Sequence, residues 1–148
     1  MEFDKDFLGK LFEQAVTNPR LRQNFDLRTS PADTSQRMLN ALLPGTKVPI
    51  HRHEDTTETV ICLVGKLEEI IYEEVNEYIY EATSCCGDVT RQRKIREISR
   101  QILSPAEGKF GIQIPAGAWH TINVIEPSVI FEAKDGAYNE FGNTTDKK

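Results

Sequence analysis

The sequence predicts an all-β fold, a sandwich or barrel of short strands preceded by one N-terminal α-helix. Two patterns carry this expectation. From residue 28 onward, short apolar and β-branched runs alternate with turn residues such as Pro44-Gly45, Ala106-Glu107-Gly108 and Pro115-Ala116-Gly117. Ahead of them Phe7, Leu8, Leu11, Phe12, Ala15 and Val16 recur at three- and four-residue spacing, the stripe of an amphipathic helix.

The helix comes first. Asp4 and Asp6 place carboxylates where a helix N-terminus favours negative charge, and Pro19 after Asn18 predicts its end. Strands are expected over 36–43, 47–51, 58–64, 67–74, 78–83, 96–103, 110–114, 119–125 and 128–134. Val64-Gly65-Lys66, Val75-Asn76-Glu77 and Glu126-Pro127-Ser128 supply further turns between them. Val60, Cys62 and Val64 alternate with Ile61 and Leu63, so both faces of 58–64 are apolar. Such a strand is expected to be covered on both sides, by an opposing sheet and by the helix or a second subunit. The stretch 84–90 reads as an irregular loop, and the polar tail after Phe141 as frayed. The whole chain is expected to form one domain, with a helix and lead-in over 1–27, the β-barrel over 28–138 and a polar tail over 139–148.

Composition narrows the function classes. At 148 residues the chain can bury a core without staples, and its 39% hydrophobic and 28% charged content is that of a soluble globular protein. A net charge of −5 argues against nucleic-acid or membrane-surface partners, which usually demand a basic face. No apolar run approaches the roughly 20 residues needed to span a bilayer. The N-terminus lacks the pattern of an export signal, and Cys62, Cys85 and Cys86 make an odd, low count, so reduced thiols in the cytoplasm are expected. Adjacent Cys85 and Cys86 lack the two-residue spacer of a chelating or redox pair.

Charge is unevenly placed. Residues 67–81 hold Glu68, Glu69, Glu73, Glu74, Glu77 and Glu81 without a basic residue, and 91–100 hold Arg91, Arg93, Lys94, Arg96 and Arg100. Two solvated edge strands attracting one another across a hairpin explain this better than a subsite for an anionic ligand.

The chemistry concentrates elsewhere. All three histidines fall in two stretches, Gly45 to Gly65 and Pro115 to His120. His51 and His53 differ by two, so a strand projects both from one face. Glu58 lies at an odd offset from His53, but the polar Glu54-Asp55-Thr56-Thr57 segment is turn-like and allows Glu58 to start the next strand facing the imidazoles. His120 arrives from far along the chain, just after a Pro-x-Gly turn. Three imidazoles and one carboxylate suit a divalent first-row metal and leave positions for water or substrate. His51, His53, Glu58 and His120 are therefore the expected metal ligands, and Fe, Mn, Ni, Zn or Cu each fit the set. Arg52 is expected to point away from the metal, Cys62 into the barrel as an inert thiol, and Trp119 into the core or an interface. Tyr72, Tyr78, Tyr80 and Tyr138 are read as packing residues, and Glu54 and Asp55 as solvated. With every histidine so used, no Ser-His-Asp set can be assembled.

These residues carry a family resemblance. Gly45, His51-x-His53, Glu58 and Gly65 match the first cupin motif without a gap, and Pro115-x-Gly117-x-x-His120 matches the centre of the second. Lys109 stands at the second motif's leading glycine position, with Gly108 and Gly111 nearby, and Val124 at its trailing asparagine position, with Asn123 one residue early. Within that family the chain most resembles the WbuC-type cupin fold metalloproteins. The shared features are Asn24–Arg28 ahead of Gln36-Arg37-Met38-Leu39-Asn40-Ala41, the His-Arg-His core, the run 114–121 and the ending 131–138. The resemblance implies a double-stranded β-helix (a jelly-roll cupin barrel), a metal inside it and a homodimer. It also implies a link to surface-polysaccharide gene clusters. Three functions then stand: a metal-dependent enzyme of isomerase, epimerase or oxygenase type acting on a small polar or sugar-derived substrate; a non-catalytic module holding a small ligand; or a barrel whose metal is structural.

Overall fold

The computed structural model describes residues 1–81, 87–136 and 143–145. The Cys85-Cys86 pair and Tyr138 lie outside the described residues. Helix α1 runs Lys5–Thr17, and the Asp4 carboxylate caps it by accepting from Phe7 N–H at 2.9 Å. Leu11 and Ala15 are buried, with Phe7, Leu8 and Phe12 packed beside them, whereas Val16, the last of the predicted stripe, is exposed.

Among the described residues eight strands follow: β1 Arg22–Asp26, β2 Ser35–Leu42, β3 His51–His53, β4 Glu58–Glu81, β5 Asp88–Leu103, β6 Gly111–Ile114, β7 Trp119–Asp135 and β8 Asn143–Thr145. All pairings are antiparallel, in the order β1-β2-β7-β3-β8, with β4 pairing β5, β6 and β7. The expected β-barrel behind one helix is the observed architecture.

Its elements are longer and fewer than the turn residues imply. The expected strands 58–64, 67–74 and the described part of 78–83, to Glu81, are one strand, β4, and 119–125 and 128–134 are one strand, β7. Val64-Gly65-Lys66 and Glu126-Pro127-Ser128 face each other as a bulged corner through which both strands bend. There Gly65 has φ +97°, and a Cβ on it would lie 2.2 Å from Pro127 O. Val75-Asn76-Glu77 continues the ladder opposite Lys94, Arg93 and Gln92 instead of turning. β1 occupies the expected lead-in, and the described part of the 84–90 loop belongs to β5 from Asp88 onward. Residues 47–50, expected as strand, are irregular, Pro49 having no N–H to give a ladder. In the expected frayed tail, Asn143–Thr145 instead pairs with His51–His53.

Helix α1 packs on the outer face of β1 and β2, where Leu39, Ala41 and Val129 meet Leu11 and Ala15. It leaves the outer face of the 58–64 segment uncovered: Ile61, Leu63 and Val64 are exposed while Val60 and Cys62 are buried. The inward face changes character along each strand. On β2, Gln36, Met38 and Asn40 line a cavity and Leu42 joins the apolar core; on β4, Glu58 lines it and Val60 and Cys62 join the core. On β7 the order is His120 and Ile122 at the cavity, Val124 and Ile130 in the core, then Glu132 and Lys134 at the cavity. One end of the barrel is thus an apolar plug and the other a polar cavity of about 470 Å³.

Apart from Glu69, which is buried, the acidic and basic runs behave as a solvated hairpin. Glu68 pairs with Arg100 at 2.8 Å, Glu77 with Lys94 at 2.6 Å, and Glu73 with Arg96. Such exposed pairs contribute little stability. Tyr78 and Tyr80, expected to pack, are exposed on this ribbon at 61% and 77%.

Candidate metal centre

Three local devices deliver the four expected ligands. His51 and His53 flank Arg52 on β3 and project from one face, and His51 is the direct partner of His120 on β7. The bend at 54–57 reverses the chain so that Glu58 opens β4, which accounts for its odd offset. Gly117, at φ +80°, donates its N–H to His53 O at 2.7 Å, tying the Pro-x-Gly turn to the histidine strand just before His120. The departures from the second motif are local. Gly108 makes the turn at φ +75° one residue early, and Gly111 sits where a Cβ would lie 2.5 Å from Val60 O. Val124 is core, and Asn123 points outward to donate to Glu68 Oε2 at 2.8 Å.

The structure brings all four side chains together. One donor atom from each of His51, His53, Glu58 and His120 lies within 4.8 Å of the others. Two donors about 2.1 Å from a shared ion are separated by at most ~4.2 Å, so the group is nearly at ligand spacing. Glu58 Oε2 is 2.8 Å from His53 Nε2 and 3.5 Å from His120 Nε2, yet Glu58 Oε2 and His120 Nε2 have no hydrogen-bond partner. The atoms are close but do not aim at one another, the arrangement of donors sharing a common point. His51 Nδ1 and His120 Nδ1 each lie 2.9 Å from the backbone carbonyl two residues earlier, Pro49 O and Ala118 O. Donation to those carbonyls puts the proton on Nδ1 and leaves the Nε2 lone pair free to ligate. The residues fit a divalent metal.

Electrostatics agree. Burial, with the neighbouring His120, brings the His51 imidazole down to about 4, so it is neutral and ligand-ready at pH 7. Burial pushes the Glu58 carboxyl up, but His120 and His53 outweigh it and hold Glu58 below the usual carboxylate range. Behind the site, Arg52 bonds Glu74 at 3.2 Å and lies 4.7 Å over the Trp119 ring, whose Nε1 donates to the same Glu74 carboxylate. Both are packing residues, as expected, and so is buried Cys62, whose thiol burial pushes up to about 11.

Sequence reasoning missed two carboxyls on the cavity wall. Glu69 is 1% exposed, and burial, then the charges of Glu58 and Glu132, push its pKa well above the carboxylate range. Glu132, opposite Val60 on β7, is raised by burial and by Glu58. Glu132 alternates in phase with Ile130, an inward position that was readable. Glu69 was hidden by the corner at Gly65, where register shifts between residues 62 and 67 change which positions of β4 face inward.

Comparison with known proteins places the fold. A family model described as Domain of unknown function (DUF6016) matches residues 3–83. No curated protein sequence matches the chain. Among solved structures, recombinant oxalate oxidase in complex with glycolate is 13% identical, with TM-score 0.55, over 87% of this chain and 57% of its own. The capsular polysaccharide assembling protein CapF from Staphylococcus aureus is 15% identical, TM-score 0.54, over 88% of this chain and 33% of its own. A cupin-2 domain from Rhodospirillum rubrum is 12% identical, TM-score 0.51, over 86% of this chain and 66% of its own. The chain spans just over half of the oxalate oxidase and a third of CapF. The fold is that of the cupins. No helix among the described residues is long and apolar enough to cross a membrane.

Proposed function

We propose, from the premise that this chain belongs to the DUF6016 family, that it is a metal-dependent cupin. In this reading His51, His53, Glu58 and His120 hold a divalent ion, Fe, Mn, Ni or Zn, at the inner end of a cavity that admits a small polar molecule. The observation that carries the reading is the convergence of four buried or half-buried donors on the wall of that cavity. A site opening on about 470 Å³ favours ligand binding over a purely structural metal, whose shell is closed by protein.

When bound, the metal supplies Lewis-acid polarisation of a substrate carbonyl or hydroxyl. The chain's own residues then orient the substrate and hold protons: Glu69 and Glu132 present carboxyls to the same cavity. A protonatable group beside a polarised carbon is what isomerase- or epimerase-type proton transfer needs, and this favours that enzyme class over oxygenase chemistry. A sugar-derived substrate is part of the proposal, supported by the WbuC-type resemblance and by the fold shared with the polysaccharide-assembling CapF. We further infer one cupin domain, a cytoplasmic setting and a homodimer. Exposed Ile61 and Leu63 on the outer face of β4 support the dimer.

Elemental analysis of protein purified without chelator tests the metal. One equivalent of a divalent ion is expected, falling to a trace in His51→Ala and His120→Ala. Unchanged metal content in both variants would overturn the reading. A ligand recovered unaltered after long incubation with the metal-loaded protein would make it a binding module instead.

A further inference from the structure

The cavity carries more polar groups than a metal site uses. Among the described residues, every buried side-chain N or O atom without a hydrogen-bond partner, apart from Arg52 Nε, belongs to a cavity-lining residue. Some belong to His53, Glu58 and His120. The others are both oxygens of Glu69, Gln36 Oε1 and Asn40 Oδ1. Gln36 and Asn40 share the inward face of β2, and Glu69 enters from β4 opposite Ile122. An unpaired buried polar atom carries the full desolvation penalty of its group. Water in the cavity can supply the missing bonds, and a ligand that displaces it from such a wall binds only if its own polar groups replace them.

The chemistry of that molecule follows from the wall. An aliphatic ligand leaves the oxygens unpaired, and a carboxylate or phosphate placed against them meets them lone pair to lone pair. A cationic ligand suits acceptors but would meet Arg20 and Lys134, which line the same cavity. Hydroxyl groups are neutral, both donate and accept, and several fit on one small molecule. We propose that Gln36, Asn40 and Glu69 form a hydroxyl-reading subsite, so that the cavity selects a small polyhydroxylated molecule. Only the further statement that one end of this molecule reaches the ion rests on the metal reading.

Calorimetric titration of the protein as purified, with gluconate, D-glucitol and hexanoate as probes, tests the subsite. Gluconate and hexanoate share a carboxylate and a six-carbon chain and differ in hydroxyls. Gluconate and D-glucitol are expected to bind at millimolar concentration or below, and hexanoate at least tenfold more weakly. Asn40→Leu and Glu69→Leu should each weaken gluconate by roughly tenfold, and Glu69→Gln, which keeps a hydrogen-bonding end, by no more than about threefold. Thermal melting confirms that each variant is folded, and Gln36→Leu replaces any that is not. Equal binding of hexanoate and gluconate, leucine variants that bind like wild type, or no binding of either polyol overturns the subsite. Metal content of the same samples is scored separately. Asn40- and Glu69-dependent gluconate binding without metal keeps the subsite and overturns the metal reading.

Discussion

His51 and Glu69 show burial acting on opposite kinds of ionisable group in one cavity. Desolvation disfavours the charged form of both, lowering the imidazole pKa and raising that of the carboxyl. Their effects on stability have opposite sign. Glu69's raised folded pKa gives stability that is complete below the ordinary carboxylate value and is lost as pH rises through the folded pKa. In chelator-treated protein, Glu69→Gln should therefore be more stable than wild type at pH 8, on the order of 1 kcal/mol, with the gain vanishing toward pH 4. Urea melts at the two pH values decide this, and a gain that persists at acid pH contradicts it. The depressed His51 pKa of about 4 works the other way. Metal-free protein should lose stability as pH falls from about 6.5 toward 4, a loss that His51→Phe, which cannot take up the proton, reduces in the same melts.

At the scale of elements, the corner at Gly65 does the most. β4 and β7 each cover both parts of the barrel only because they bend there, and Lys66 N–H donating to Ser128 Oγ at 3.0 Å holds the bend. Gly65→Ala places a methyl against Pro127 O and Ser128 at a φ that L-residues avoid. We expect a loss of about 3 kcal/mol or more in denaturant unfolding; a loss below about 1 kcal/mol would mean that the strands do not meet so closely. The helix depends on a smaller device. Asp4→Ala should cost about 1 kcal/mol, the usual value of a lost N-cap.

For the molecule as a whole, the division of the barrel into an apolar plug and a polar cavity sets what a ligand can do. Core residues such as Val60, Leu67 and Ile130 are fully buried without any help from the cavity, so the metal-free chain is expected to fold. Metal binding to the folded state alone should then raise the melting temperature, by about 2.7 kcal/mol of stability at 100-fold excess over Kd. His120→Ala should abolish that rise while still folding. A wild-type melt indifferent to metal would show that the four donors do not act together.

Much of this was legible in the chain itself, for reasons that differ by feature. The helix, the acidic residues at its start and the grouping of His51, His53, Glu58 and His120 follow from short-range geometry. A period of 3.6 or of 2, one bend and one Pro-x-Gly turn place side chains within a few residues of where they act. The chain alone determined an all-β barrel behind a helix, and the four residues whose side chains the structure brings together. Tertiary structure alone decided that two apparent turns make one bulged corner, that Glu69 in an acidic run faces inward while Glu68 faces a basic strand, and that Gln36, Asn40 and Glu69 share a wall. The physical reason is that a strand's inward face is defined only relative to its partners. One bulge reverses that phase, and no local pattern records it.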